Sequence, residues 1–152
     1  RWLAGGASNS GGAVLRQFFS DEQLQSLTSQ LRPQQPTGLD YYPLPGPGER
    51  FPVNDPHMQP RIAPRPSDPV AFFQGLLEGI ARIETEGYRL LEKLGAPYPE
   101  SVRSVGGGAG NEPWRQIRQQ MLGVRVIEPE QSEAAYGAAL IAAGRLGQPA
   151  PQ

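Results

Sequence analysis

The run Gly106-Gly107-Gly108-Ala109-Gly110-Asn111 is the stretch best suited to hold a ligand. Glycines reach φ > 0 and let a ligand approach the backbone, and the first N–H groups of a following helix have no internal partner and attract anions. Val102-Arg103-Ser104-Val105 reads as a strand before the run, and Asn111-Glu112-Pro113-Trp114 as a helix start after it. A phosphorylated ligand is the first expectation for that order. A second glycine turn, Gly5-Gly6-Ala7-Ser8-Asn9-Ser10-Gly11-Gly12, leads into Ala13 to Phe19, where apolar residues at 14, 15, 18 and 19 fit one helix face.

The other chemical candidates are weaker. No Gly-Lys-Ser/Thr follows the glycines, which excludes a Walker loop. A dinucleotide fingerprint would use Glu128 as its ribose-binding acid, but Asn111 stands in the sixth place of the motif and only one further strand-helix pair follows. A tight turn packing a helix on a sheet is the plainer account of a lone glycine run. His57, the only histidine, lies between Pro56 and Met58 without partners for a triad or metal site and reads as a surface loop residue. Asp21 and Asp68 have helix-start explanations; Asp40 and Asp55 can touch a polar ligand, but no spacing marks either as a general base. Glu49-Arg50, inside Gly48-Glu49-Arg50-Phe51-Pro52, is read as an ion pair bracing a loop before it is read as a substrate contact.

The elements that must position these residues follow from proline and glycine placement. A chain of 152 residues fits one domain with one core. Prolines crowd between Arg32 and Pro69, and over 33–67 their spacing forbids a long helix or a central strand, leaving a wandering excursion. Ser20-Asp21-Glu22-Gln23 has the capping-box form and opens a helix with Leu24, Leu27 and Leu31 on one side that stops before Pro33. The long helix begins after Asp68 with Pro69 at its first position, carries apolar residues at 70, 73, 77, 80, 88, 91 and 94, and closes at Gly95. It is expected to be the central core helix without a catalytic role. Val124 to Ile127 reads as a second strand, Ser132 to Ala143 as a last helix, and Trp2-Leu3-Ala4 as the end of a strand.

A formal net charge of -1 with no block of like charges gives no footprint for nucleic acid or an anionic membrane. The absence of cysteine excludes disulfides, thiolate metal sites and cysteine nucleophiles. Ala134 to Ala143 is about half of the roughly 20 residues a membrane helix needs, and no signal peptide is visible. A cytosolic setting is compatible with these features. A start at Arg1 suggests a processed chain or a piece of something longer.

Several of these motifs, in order, resemble the FGGY carbohydrate kinases of the actin-like ATPase superfamily, in their C-terminal domain. Gly106 to Asn111 with Trp114-Arg115-Gln116 is similar to the family's glycine run and following helix. Leu122-Gly123-Val124-Arg125-Val126 and Glu133-Ala134-Ala135-Tyr136-Gly137-Ala138-Ala139 resemble the strand and helix that come next. Gly48-Glu49-Arg50 resembles a Gly-Glu-Arg loop, and Gly11-Gly12-Ala13 the first glycine turn of this domain. Gly-Gly-Ala-Ser-Asn and Leu39-Asp40-Tyr41-Tyr42-Pro43-Leu44-Pro45 look most like the branch with cyanobacterial and plant-plastid D-ribulose kinases, which is xylulose kinase-like. Gln119-Gln120 departs from the usual Ala-Asp pair.

The resemblance implies an α/β domain of the actin-like ATPase (ribonuclease H-like) type, the C-terminal half of a two-domain sugar kinase, over 1–147 with a tail at 148–152. It implies ATP-dependent phosphorylation of a sugar hydroxyl, with D-ribulose ahead of D-xylulose. Gly106, Gly107, Gly108, Ala109 and Asn111 would line the adenosine end of ATP or ADP, and Gly11 and Gly12 would face the terminal phosphates. Mg²⁺ would be held mainly by the phosphates and by the N-terminal half, which also supplies the catalytic aspartate; none of the catalytic residues is expected in this chain, and alone it is expected to be inactive. The expected partners are that N-terminal kinase domain, a pentulose and, in some assemblies, a second copy as a homodimer; nucleic acid and membrane are not expected. The expected location is the cytoplasm, or the plastid stroma for a plant protein. The rival reading is a non-catalytic nucleotide-binding module of the same superfamily.

Overall fold

The structure is a computed structural model, and it describes residues 3–106, 108–128 and 134–144. Gly107, Glu133 and the expected domain end at 147 with its tail lie outside the described residues. The element order is a short 3-10 helix Gly12–Gln17, α1 Asp21–Thr28, α2 Pro69–Lys93, β1 Ser101–Arg103, α3 Glu112–Leu122, β2 Arg125–Ile127 and α4 Ala134–Ala142.

Local chemistry sets the helix ends. The Ser20 side chain accepts the Gln23 N–H while the Gln23 side chain accepts the Ser20 N–H, a complete capping box that opens α1. Asp68 accepts the Val70 N–H ahead of Pro69 and starts α2. At the other end Gly95, with φ 99°, lets the chain turn back so that Ala96 N–H reaches the Leu91 carbonyl. One helix expectation is corrected: Ala13 to Phe19 does not form an α-helix, because a single 3-10 stretch ends at Gln17 and gives way to the Ser20 cap. Two strand expectations are corrected as well. Leu3 and Ala4 are in no strand, and Val105 lies beyond β1, 71% exposed.

The core is built around α2. Phe72, Phe73, Leu76, Leu77 and Ala81 are buried with Phe19, Leu27 and Leu31, with Tyr41 from the excursion and with Ile117 of α3. Phe18 and Tyr41 both meet the Phe72 ring edge-on, with centroids 5.3 and 6.0 Å away. Each large side chain buried in this way stabilises the fold by about 1.5–3 kcal/mol. The expected apolar stripe stops short of Leu94, which follows α2 as its C-cap and is 73% exposed.

The face of α2 toward the excursion is glycine-based. A Cβ at Gly75 would lie 2.7 Å from a Leu39 methyl, and one at Gly79 would lie 2.8 Å from the Tyr41 carbonyl oxygen. These two residues let residues 39–43 cross directly over the helix. Polar groups buried in α2 then pin the crossing chain: Gln74 binds the backbone of Arg32 and Gln35, Glu78 accepts from Thr37, and Arg82 donates to the Leu39 and Tyr41 carbonyls.

β1 and β2 form a parallel pair with Val102 opposite Val126, joined through α3. Val102, Val126 and Leu122 make a small second core between the pair and α3. Gln119 occupies the outer edge of β2, where its Oε1 accepts the Val126 N–H at 3.2 Å. No helix among the described residues is long and apolar enough to cross a membrane.

Candidate functional site

A cleft of about 950 Å³ runs between the first glycine turn and the turn that follows β1. Gly11, Gly12 and Ala13 line one end, and Gly108, Ala109, Asn111 and Trp114 line another. Leu24, Gln25 and Thr28 of α1 form a side wall, and Leu77, Ile80 and Leu91 of α2 an apolar floor. The two glycine turns, about a hundred residues apart in sequence, thus face one space. Gly106 sits just outside the lining with φ 93°, and Gly107 lies outside the described residues.

The first turn is held from behind. Gly11 has φ 155° and ψ -170°, a conformation open to glycine. The first bond of the 3-10 helix runs from Val14 N–H to the Gly11 carbonyl at 3.1 Å, so the N–H groups of Gly12 and Ala13 precede the ladder, and both residues are exposed. Upstream, Ser8 Oγ donates to Glu49 Oε2 at 2.6 Å, Asn9 N–H donates to Glu49 Oε1 at 2.7 Å, and Ser10 Oγ donates to the Pro43 carbonyl at 2.6 Å. Burial pushes the Glu49 carboxyl up, but donors from Ser8, Asn9, Arg50 and Tyr42 outweigh it and hold the group below its ordinary value. The expected Glu49–Arg50 ion pair is replaced by a different arrangement: Arg50 Nε turns to Asn9 Oδ1 at 2.6 Å, and Glu49 is satisfied by neutral donors.

The second turn is anchored by Asn111. Its Oδ1 caps α3 by accepting the Trp114 N–H, and its Nδ2 donates to Thr28 Oγ1. At the cleft wall Arg118 makes a two-pronged ion pair with Glu84, 2.7 Å at both contacts, donates to Ser104, and lies over the Trp114 ring at 5.6 Å. The Tyr88 hydroxyl beside them is pushed up by burial.

The cleft lining carries Arg16, Arg103 and Arg118 against a single carboxylate, Glu84. Arg16 is paired with Asp21 and Arg118 with Glu84, so the attraction for an anionic ligand rests on Arg103 and on the backbone N–H groups of the glycine turns. Glu84 is engaged by Arg118, and among the described residues no group of three His, Asp or Glu side chains can hold a metal. These residues do not fit a magnesium cage. Asp40 is tied to Arg61 and Arg82, Asp55 accepts the His57 N–H, and none of the three lines the cleft. Glu128 pairs with Arg115 away from the cleft, where a ribose contact is not served.

Of the residues expected from the sequence to hold a nucleotide, Gly11, Gly12, Gly108, Ala109 and Asn111 line the cleft; Thr28, Arg103, Glu84 and Arg118 line it too and were not among them. No local spacing links residues on α2 with residues on α3, so only the packing of the two helices reveals the Glu84–Arg118 pair.

Residues 1–145 match the FGGY family of carbohydrate kinases, C-terminal domain. Over 73 residues the chain is 36% identical to a xylulose kinase of Bacillus subtilis (strain 168), a stretch that covers 47% of this chain and 14% of that protein. Among solved structures, a ligand-bound xylulose kinase from Lactobacillus acidophilus superposes with a TM-score of 0.70 at 21% identity, covering 93% of this chain and 31% of the other. A gluconate kinase from the same organism gives 0.69 at 20% identity with the same coverage. A xyloylose kinase from Brucella ovis gives 0.64 at 28% identity, covering 79% of this chain and 26% of the other. The chain therefore spans less than a third of the length of these relatives.

Proposed function

This chain belongs to the FGGY family of carbohydrate kinases, as the C-terminal domain with its actin-like fold, and we propose that it supplies the nucleotide-binding half of an ATP-dependent sugar kinase. The observation that carries the reading is the facing of two glycine turns across one cleft. In this reading Gly106, Gly107, Gly108, Ala109 and Asn111 take the adenosine end. Gly11 and Gly12 take the terminal phosphates through backbone N–H groups rather than through a helix dipole, since only a 3-10 stretch follows them.

Phosphoryl transfer is mostly positioning and charge stabilisation, so a domain that only orients ATP still makes a large contribution. Bound Mg²⁺ would neutralise phosphate charge. The described residues of this chain offer it no ligand set, and the phosphates and an N-terminal kinase domain would hold it. The aspartate base belongs to that same partner domain. Apolar surface on α4, where Ile141 is 60% exposed, supports a further packing partner. The substrate in this reading is a ketopentose, D-ribulose first and D-xylulose second, and the enzyme works in the cytoplasm or the plastid stroma.

The test is a panel of pentuloses with ATP, given to the complete two-domain kinase and to purified Arg1 to Gln152. The expected result is turnover by the complete enzyme and none by the shorter chain. Pentulose phosphorylation by Arg1 to Gln152 at a comparable rate would overturn the division of labour.

A further inference from the structure

Glu49 is a carboxylate of 2% exposure inside an irregular segment, and among the described residues no cationic side chain lies within ion-pair distance of it. A buried charge without a counter-charge is expensive, and it persists where it does something a neutral group cannot. Here four donors converge on two oxygens. Oε1 accepts the backbone N–H of Asn9 at 2.7 Å and of Arg50 at 2.8 Å, while Oε2 accepts the hydroxyls of Ser8 at 2.6 Å and Tyr42 at 3.1 Å. An ionised carboxylate is acceptor-only and can take all four.

The donors fall into two groups. Arg50 and Tyr42 belong to the excursion, whereas Ser8 and Asn9 belong to the chain leading into Gly11 and Gly12. Ser8 Oγ also accepts the Ser10 N–H at 2.9 Å, so the hold on Ser8 extends to the residue before Gly11. Ser8, Ser10, Gly11 and Gly12 all line the cleft; Glu49 does not. The carboxylate stands behind the turn and sets its position without reaching the ligand.

We propose that Glu49 is the positioning residue for the phosphate end of the nucleotide site, fixing Ser8 to Ser10 so that the N–H groups at Gly12 and Ala13 meet the terminal phosphates. The proposal rests on the reading that Gly11 and Gly12 face those phosphates. Its signature is a selective loss: ligands with terminal phosphates weaken, and a ligand without them does not.

The experiment measures ATP and adenosine binding to the complete two-domain kinase by calorimetry. Glu49→Ala raises the Kd for ATP about tenfold, the scale of losing hydrogen bonds to a charged group, and leaves that for adenosine unchanged. Glu49→Gln recovers only part of the ATP affinity, because its amide oxygen can still accept from Asn9 and Arg50 while its NH₂ cannot accept from the Ser8 and Tyr42 hydroxyls. Tyr42→Phe removes a donor on the excursion side and leaves ATP affinity near wild type. If Glu49→Ala fails to fold, Ser8→Ala carries the test, since it cuts one of the two links to the turn, and the bond to Ser10 with it, while Glu49 keeps three donors; a severalfold loss for ATP alone is then expected. Equal weakening of ATP and adenosine, or unchanged ATP affinity in both Glu49→Ala and Ser8→Ala, overturns the positioning role and leaves the nucleotide site standing. A wild-type enzyme that does not bind ATP overturns the reading on which the role depends.

Discussion

Asn111 Nδ2 donates to Thr28 Oγ1 at 3.2 Å, across 83 residues of sequence, while the same side chain caps α3 through Oδ1. One amide therefore joins the start of α3 to the end of α1, and both residues line the cleft. Two substitutions separate its roles. Asn111→Ala loses the cap and is expected to cost about 1 kcal/mol in a denaturation experiment. Asn111→Asp keeps an acceptor for Trp114 N–H but loses the donor to Thr28, so it is expected to lose less stability than Asn111→Ala, while it places a negative charge beside the proposed nucleotide and lowers ATP affinity in a titration. Wild-type affinity in Asn111→Asp would reduce the residue to a cap.

Gly12 and Gly11 are expected to respond differently to alanine. A Cβ on Gly12 meets no atom within 4 Å, and its φ is not in the glycine region, so Gly12→Ala folds normally. The new methyl group borders the cleft, and the expected effect is a raised KM for ATP with an unchanged melting temperature. Gly11→Ala also has space, but its φ of 155° strains an L-residue, and it is expected to lose stability as well as affinity.

Gly79→Ala tests the crossing of the excursion over α2. In an open helix this substitution stabilises by up to about 1 kcal/mol. Here the added carbon would lie 2.8 Å from a backbone oxygen and 2.8 Å from the Pro43 ring, which cannot swing aside as the end of a long side chain can. Overpacking of this kind costs about 1–3 kcal/mol, so destabilisation wins. Urea melts of the two proteins give the sign directly.

The Glu49 carboxyl is held below its ordinary value near 4.5. A depressed folded-state value stabilises the fold above the unfolded value, and that contribution is lost as pH falls through the folded one. Wild-type stability should thus drop as pH is lowered below about 4.5, and Glu49→Gln, which removes the titration, should show a shallower decline over the same range. Parallel pH curves for the two proteins would remove Glu49 from the acid response.

The legible part of the fold was the part written in short-range chemistry. Ser20 with Gln23, Asp68 with Pro69, and Gly95 each act on neighbours within four residues, and each helix end stands where those residues put it. The glycine turns were legible for the same reason. The stretch from Ala13 to Phe19 was misread because its apolar spacing suits an α-helix face, while the chain forms a short 3-10 stretch of about two turns before the Ser20 cap opens α1. Glu49 was misjudged more instructively. Its sequence neighbour Arg50 suggested an ion pair, whereas its partners Ser8 and Asn9 lie some forty residues upstream, and no periodicity records such a distance. Gly75 and Gly79 likewise look like weak points of a helix until residues 39–43 are seen to lie on them.

The excursion over 33–67 has almost no regular structure, yet Gln74 and Glu78 tie down its entry, Arg82 its crossing, and Glu49 and Asp55 bridge its middle through paired backbone bonds. Exposed segments free of regular structure are the usual first targets of a protease. This one is secured at intervals of a few residues, too short for the stretch a protease must draw out into its groove. Its irregularity is therefore rigid, and limited digestion of the native protein is expected to leave it uncut.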